Sequence, residues 1–160
     1  MARSFWLMKS EPDVYSIDDL AADEGQTTCW DGVRNYQARN FMRDSMKVGD
    51  QVLFYHSNAD PSGVAGIASI AAQAYADPTA FDKKDKHYDA KSDPDNPAWM
   101  MVDVKFVKRF SKVIPLSELK TYSQLDGMEL LRRGSRLSVQ PVEKSHFDFI
   151  VKLGAKRPKS

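Results

Sequence analysis

The sequence predicts an α+β domain in which a small mixed or antiparallel β-barrel is flanked by helices. Three observations carry that expectation. Strand-like and helix-like stretches intermix along the chain without the regular βα alternation of a doubly wound sheet. Trp99 to Phe110 keeps a two-residue period, with Val102, Val104 and Phe106 on one side and Asp103 and Lys105 on the other, as a half-buried strand requires. The chain has 160 residues, 42% hydrophobic and 28% charged, enough to bury one core without a disulfide or a metal.

Taken in order, Ser4 to Lys9 is an apolar run that stops at Ser10-Glu11-Pro12, where Pro12 lacks the donor of a central ladder. Ser16 followed by Asp19 starts a short helix, and Glu24 to Thr28 breaks it. Beyond Asn35, a good N-cap, Ala38, Phe41, Met42 and Met46 fall at helical spacing until Gly49-Asp50 turns the chain. Gln51 to His56 is a second strand. Val64 to Tyr75 is a third, whose small residues, Gly66 among them, let it curve or let another backbone come close. Residues 77–98 form a long charged loop with Phe81 and Tyr88 as its anchors. After the Trp99–Phe110 strand, Pro115 to Leu119 starts a short helix. Asp126-x-x-Glu129 has the form of a capping box for a helix ending at Gly134. Arg136 to Val142 is the last strand. Lys144 to Leu153 is a closing helix with Phe147, Ile150 and Val151 inward and Gly154 past its end. No repeat or linker divides the chain, so residues 1–160 read as one domain, with its core at about 4–154 and a basic tail at 155–160.

Composition removes several function classes. The net charge is only +1, from 23 Lys and Arg against 22 Asp and Glu, so nucleic-acid binding has to come from a local patch. Cys29 is the single cysteine. It excludes an internal disulfide and paired-cysteine zinc sites, and it suggests a reducing setting, cytoplasmic or, in a eukaryote, nuclear. His56, His87 and His146 have no metal-ligand spacing, so no metal is expected. No cofactor is expected either, since the chain has no phosphate-cradling glycine loop and no dinucleotide fingerprint. No apolar run approaches the roughly 20 residues of a membrane span, and no secretory signal precedes Phe5. A monomer is the simplest state.

The stretch Cys29 to Asn40 stands apart because it places an indole, a carboxylate, a glycine, an arginine and an amide side by side. A pocket that stacks a flat ring and hydrogen-bonds its edge needs that mixture. Trp30 is a core filler or a stacking wall, and Asp31-Gly32 directly after it favours the wall. Trp6 and Trp99 lie inside strand-like runs and read as core. Glu11 at a strand end suits an exocyclic amine or an arginine partner. Asn35 has the donor and acceptor of a base reader, but capping competes for the same side chain. Tyr55-His56-Ser57-Asn58 and Ser138 with Gln140 are polar clusters at two further strand ends. Arg34, Arg39, Arg43 and Lys47 form one basic cluster and Arg132, Arg133 and Arg136 another, as phosphate contacts or as solvated faces. Cys29 has no histidine at useful spacing, which argues against a thiol nucleophile.

Several of these segments together resemble the EVE domain family: Trp6 to Pro12, Trp30 to Asn40, Phe54 to Asn58 and Arg136 to Val142, in order, across about Phe5 to Leu153. The resemblance implies a PUA-like fold, a small and strongly bent barrel similar in architecture to YTH domains, which read methylated adenine in RNA, and to ASCH domains. It also implies a non-enzymatic module that recognises a modified base, with modified cytosine in DNA as the leading candidate and a modified base in RNA as the other. By likeness to the YTH pocket, Ser10 and Trp30 belong at the ligand. Glu11, Asp31, Val33, Asn35, Ser57, Asn58 and Ser138 surround it, with backbone groups near Gly32. Tyr36, Tyr55 or Tyr88 would supply a second aromatic, and Arg34, Arg39 and Arg43 the phosphate contacts. The rival is an amidohydrolase of a modified nucleoside like those among ASCH relatives, using Lys9, Thr27 or Thr28, and Glu11. This chain lacks a good copy of the ASCH Gly-x-Lys-x-x-Glu pattern. A third possibility is a protein-interaction adaptor with a vestigial pocket.

Overall fold

A computed structural model describes residues 4–31, 33–93, 98–132 and 137–155. The strands are β1 (Phe5–Ser10), β2 (Thr27–Trp30), β3 (Gln51–His56), β4 (Gly63–Ala76), β5 (Met100–Pro115) and β6 (Val139–Val142). The α-helices are α1 (Ile17–Ala22), α2 (Tyr36–Asn40), α3 (Leu116–Leu119) and α4 (Lys144–Ala155), and α2 runs directly into a π turn at Phe41–Ser45. The strands form one mixed sheet in the order β2-β5-β4-β3-β1-β6. β1 and β3 run parallel, and the other neighbouring pairs are antiparallel.

This is the expected α+β class, with one correction. Among the described residues no ladder joins β2 to β6, so the sheet is open where a closed barrel was expected. It is nevertheless strongly bent. β4 and β5 are long, and their pairing shifts register at four places, each of which re-aims the strands. The backbones come close enough at Gly66 that a Cβ there would lie 2.3 Å from the Lys108 carbonyl oxygen.

The sheet has two packed faces. Its inner face carries Trp6 and Met8 of β1, Trp30 of β2, Val52 and Phe54 of β3, Ala68 and Ile70 of β4, Val102 and Val104 of β5, and Val139 of β6. Ile17 and Leu20 of α1 and Ala38 of α2 close this core, with Met42 and Met46 beyond α2. The outer face packs Leu7, Leu53, Tyr55, Val64, Phe110 and Ile114 under α3 and α4. The period of two along each strand sorts residues between these faces, so neighbours such as Phe54 and Tyr55 end in different cores.

Local signals hold where they satisfy backbone groups. Ser16 and Asp19 form the expected reciprocal cap on α1, and the Asn35 side chain accepts from the Ala38 N–H at 2.9 Å. Two expectations fail. Asp126 does not cap a helix with Glu129; the chain makes a single 3-10 turn at Glu129–Leu131, and residues 133–136, with Arg133, Gly134 and Arg136, lie outside the described set. Gly154 is not past α4 but inside its last turn, against the ring of Phe110.

Candidate functional site

A cavity of about 360 Å³ opens between the C-terminal end of β1 and β2, which are not sheet neighbours. Lys9 and Ser10 of β1 and Thr28, Cys29 and Trp30 of β2 line it, with Asp31 just beyond. Val14 and Tyr15 come from the turn after β1, and Lys86 and His87 from the segment between β4 and β5. The volume is ample for one flat ring, and the wall mixes aromatic surface with hydroxyl, carboxylate and amine.

Each wall has a local cause. The turn at Glu11–Tyr15 is closed by Val14 and Tyr15 N–H groups on the Glu11 carbonyl, at 2.9 and 2.8 Å. The Ser10 hydroxyl then donates to the Tyr15 carbonyl at 2.6 Å, which leaves its oxygen free to accept. The Tyr15 phenol donates to Asp23, and burial together with that carboxylate pushes its pKa up, so it stays a neutral ring. His56 fixes the same turn from below. Its Nε2 accepts the Ile17 N–H at 3.1 Å, an otherwise orphaned donor of the first turn of α1. Trp30 is only 9% exposed and meets Phe54 edge-on, with ring centroids 5.4 Å apart. Burial is the main cause that raises the Asp31 pKa, reinforced by Asp77 and opposed by His87. The Cys29 thiol is also pushed up, mainly by burial and then by Asp31, which suits a wall residue better than a nucleophile.

Ser10, Trp30 and Asp31 are thus brought together. Glu11, Ser57 and Asn58 form a ridge beside them without lining the cavity: the Asn58 amide donates to Glu11, and the Ser57 N–H donates to the Ser10 carbonyl. Val33 is buried in the inner core. The Ser138 carbonyl accepts from the Lys9 N–H at 2.8 Å, extending the β1–β6 ladder. Gly32 lies outside the described residues.

Other expected contacts go elsewhere. Tyr55 faces the outer core because strand alternation turns it away from Trp30. Asn35 spends its oxygen on the α2 cap. Gln140 is wholly buried and donates to the Leu137 carbonyl at 2.8 Å. Arg34 is drawn inward to buried Asp77 at 3.1 Å. Arg39 donates to the Ala98 carbonyl and lies 5.0 Å over the exposed Tyr36 ring, and Arg43 pairs with Asp44. Arg132 pairs with Glu129 at 3.5 Å. For the arginines the physical reason is common: a guanidinium beside a carboxylate or free carbonyl is held more strongly than one left to solvent.

The sequence reading missed Val14, Tyr15, Lys86 and His87 as wall residues. Glu11-Pro12 signalled a turn that returns the chain beside Ser10, which could have pointed to Tyr15. No local signal places Lys86 and His87 there. They arrive through Arg34, whose guanidinium donates to the His87 carbonyl across 53 residues of sequence. The segment itself is better built than a loose loop. Asp77, Asp82, Asp85 and Asp89 each accept the N–H two residues on, a series of Asx turns.

A bent mixed sheet with this cavity at its strand ends places the protein in a known class. The chain belongs to the EVE domain family, whose model matches residues 4–153. Human thymocyte nuclear protein 1 is 49% identical over 172 residues, which span 97% of this chain and 76% of that protein. A crystal structure of the human THYN1 protein in complex with 5-methylcytosine-containing DNA superposes with a TM-score of 0.91 at 49% identity, covering 97% of this chain and 99% of that one. An X-ray structure of a Pseudomonas putida protein superposes with a TM-score of 0.90, also at 49% identity, over 94% and 99% of the two chains. No helix among the described residues is long and apolar enough to cross a membrane. Among those residues no cluster of His, Cys, Asp and Glu could hold a metal ion.

Proposed function

We propose that this chain is a non-enzymatic module that binds DNA through a single modified cytosine, of which 5-methylcytosine is the leading candidate. The observation that supports it most is the ring-sized cavity between Ser10, Tyr15, Trp30 and Asp31, in a chain so similar to one crystallised with methylcytosine DNA. In this reading the base leaves its stack and lies against the aromatic surface of Trp30 and Tyr15. The Asp31 carboxylate accepts from the exocyclic amine, which cytosine presents and thymine lacks. The Ser10 and Thr28 hydroxyls serve the remaining edge. Unstacking costs a few kcal/mol, which enclosure in the cavity offsets. In a eukaryote such a module works in the nucleus.

The amidohydrolase reading has one observation in its favour, a half-buried Lys9 whose pKa is lowered mainly by burial. Its ammonium, however, lies 5.8 Å over the ring of Tyr55 and in the field of Glu129, on the outer side of the sheet from Trp30. Lys9 lines the cavity, but its ammonium is directed to the Tyr55 ring and Glu129, which disfavours it as a base or nucleophile toward a ring on Trp30.

The test is a titration of methylated and unmodified oligonucleotides against wild type and Trp30→Ala, with circular dichroism to confirm folding. Wild type should prefer the methylated strand, and the variant should lose about 1–3 kcal/mol of binding. Asp31→Asn, at the rim of the cavity, probes the same site without opening the core. Equal affinity in every combination refutes the assignment.

A further inference from the structure

Resting on that reading, we infer that Lys83, Lys84 and Lys86 hold the phosphates that flank the bound base, and that Arg34 is the positioning residue that brings them to the cavity. Arg34 itself has nothing left to offer a phosphate. Its guanidinium carries five N–H donors, and all five are used: Nε and one Nη2 hydrogen on the His87 carbonyl at 3.0 and 2.6 Å, the other Nη2 hydrogen on Thr79 Oγ1 at 3.2 Å, and the Nη1 pair on the Val33 carbonyl and Asp77 at 3.0 and 3.1 Å. Its flat face also lies 5.3 Å over the ring of Trp99. Arg34 follows the Trp30–Asp31 wall closely in sequence. A fork that grips His87 and Asp77 at once therefore fixes residues 77–89 against that wall.

What this fixes at the rim is basic. Lys86 and His87 line the cavity, and Lys83, Lys84 and Lys86 are exposed and take part in none of the ion pairs among the described residues. The acidic neighbours are turned to the backbone. Asp82 accepts the Lys84 N–H and Asp85 the His87 N–H, while Asp89 accepts the Lys91 N–H and the Trp99 indole N–H. The Asx turns thus engage these carboxylates with their own backbone, while the three lysines are exposed. A base seated against Trp30 has its sugar and phosphates at the cavity mouth, where Lys86 stands, with Lys83 and Lys84 exposed within three residues of it. Phosphate contacts of this kind fix register and add affinity without reading sequence.

The experiment measures binding of a methylated and an unmodified oligonucleotide from 50 to 300 mM salt for wild type, Lys86→Ala, Lys83→Ala/Lys84→Ala and Arg34→Lys. The lysine variants change exposed side chains and should fold as wild type. Each lysine removed should lower affinity for both oligonucleotides alike and reduce the slope of log K against log salt by about 0.7–0.9, with the preference for the methylated strand unchanged. Arg34→Lys keeps the charge but not the fork. It should shift the amide resonances of Lys86 and His87 and reduce the slope as the lysine changes do. Unaltered slopes in the lysine variants overturn the inference while leaving the base reader standing. A wild type that binds neither oligonucleotide overturns both.

Discussion

His56 and Asp50 are buried polar residues whose work is to hold backbone in place. The Asp50 carboxylate accepts from the Ser4 and Lys47 N–H groups and from the Trp6 indole, and so ties the start of β1 to the turn before β3. His56 does the same for α1, and only its neutral form can accept the Ile17 N–H at Nε2. Burial lowers its pKa, with Asp18 and Asp19 opposing. The unfolded chain protonates this imidazole near pH 6.5, whereas the folded protein resists until lower pH. Between those two values the unfolded state holds more protons, so the stability His56 contributes is present above about pH 6.5 and is lost as pH falls through the folded pKa. Thermal melts from pH 7.5 down to 5 should therefore show a falling Tm. In His56→Gln, whose amide oxygen still accepts from Ile17, that part of the decline should be absent. Neither contact was legible in the sequence. Only the polar run at the end of β3 marked the place, and there it suggested a ligand contact.

Elements were legible where their ends satisfy their own backbone. The Ser16/Asp19 cap and the Asn35 cap are settled within a few residues, and both were read from the sequence. Asp126-x-x-Glu129 has the same spacing, but the chain makes only a 3-10 turn there, so the pattern alone is not sufficient. α4 shows the opposite case, in which a glycine that looks like a stop is a packing residue. A Cβ at position 154 would lie 2.5 Å from the Phe110 ring, which is buried between β5 and the helix. Gly154→Ala should raise helix propensity yet destabilise the protein by about 1–3 kcal/mol, because overpacking outweighs the propensity gain. Urea unfolding measures it, and a neutral or stabilising result would mean that α4 can move off β5 freely. The 77–93 segment is the third case. Its Asp-Lys alternation suggested a solvated loop, while the side chains instead close successive turns on their own backbone and leave Arg34 to pin the whole.

For the whole molecule, the near balance of charge limits how the proposed reader would meet DNA. A net charge of +1 gives no long-range field to draw in a polyanion. On the proposed reading, affinity would come from the cavity and from the few lysines beside it. Three phosphate contacts correspond to a slope of log K against log salt of about −2 to −3. Binding isotherms for wild type over 50–300 mM salt should fall in that range. A slope steeper than about −5 would require basic surface well beyond residues 83–86.

The sequence by itself determined the α+β class, the order of most elements, and the core-facing residues Val102 and Val104 of β5 and Ala38, Met42 and Met46 after Asn35. These are set by the period of two or 3.6 and by contacts within a few positions, which a linear pattern records. It did not determine that the sheet stays open, that Tyr55 faces away from Trp30, or that Tyr15, Lys86 and His87 complete the wall. Those depend on register shifts along β4 and β5 and on a guanidinium reaching a carbonyl 53 residues away. Such contacts have no period, because they exist only once the bent sheet has brought the two stretches together.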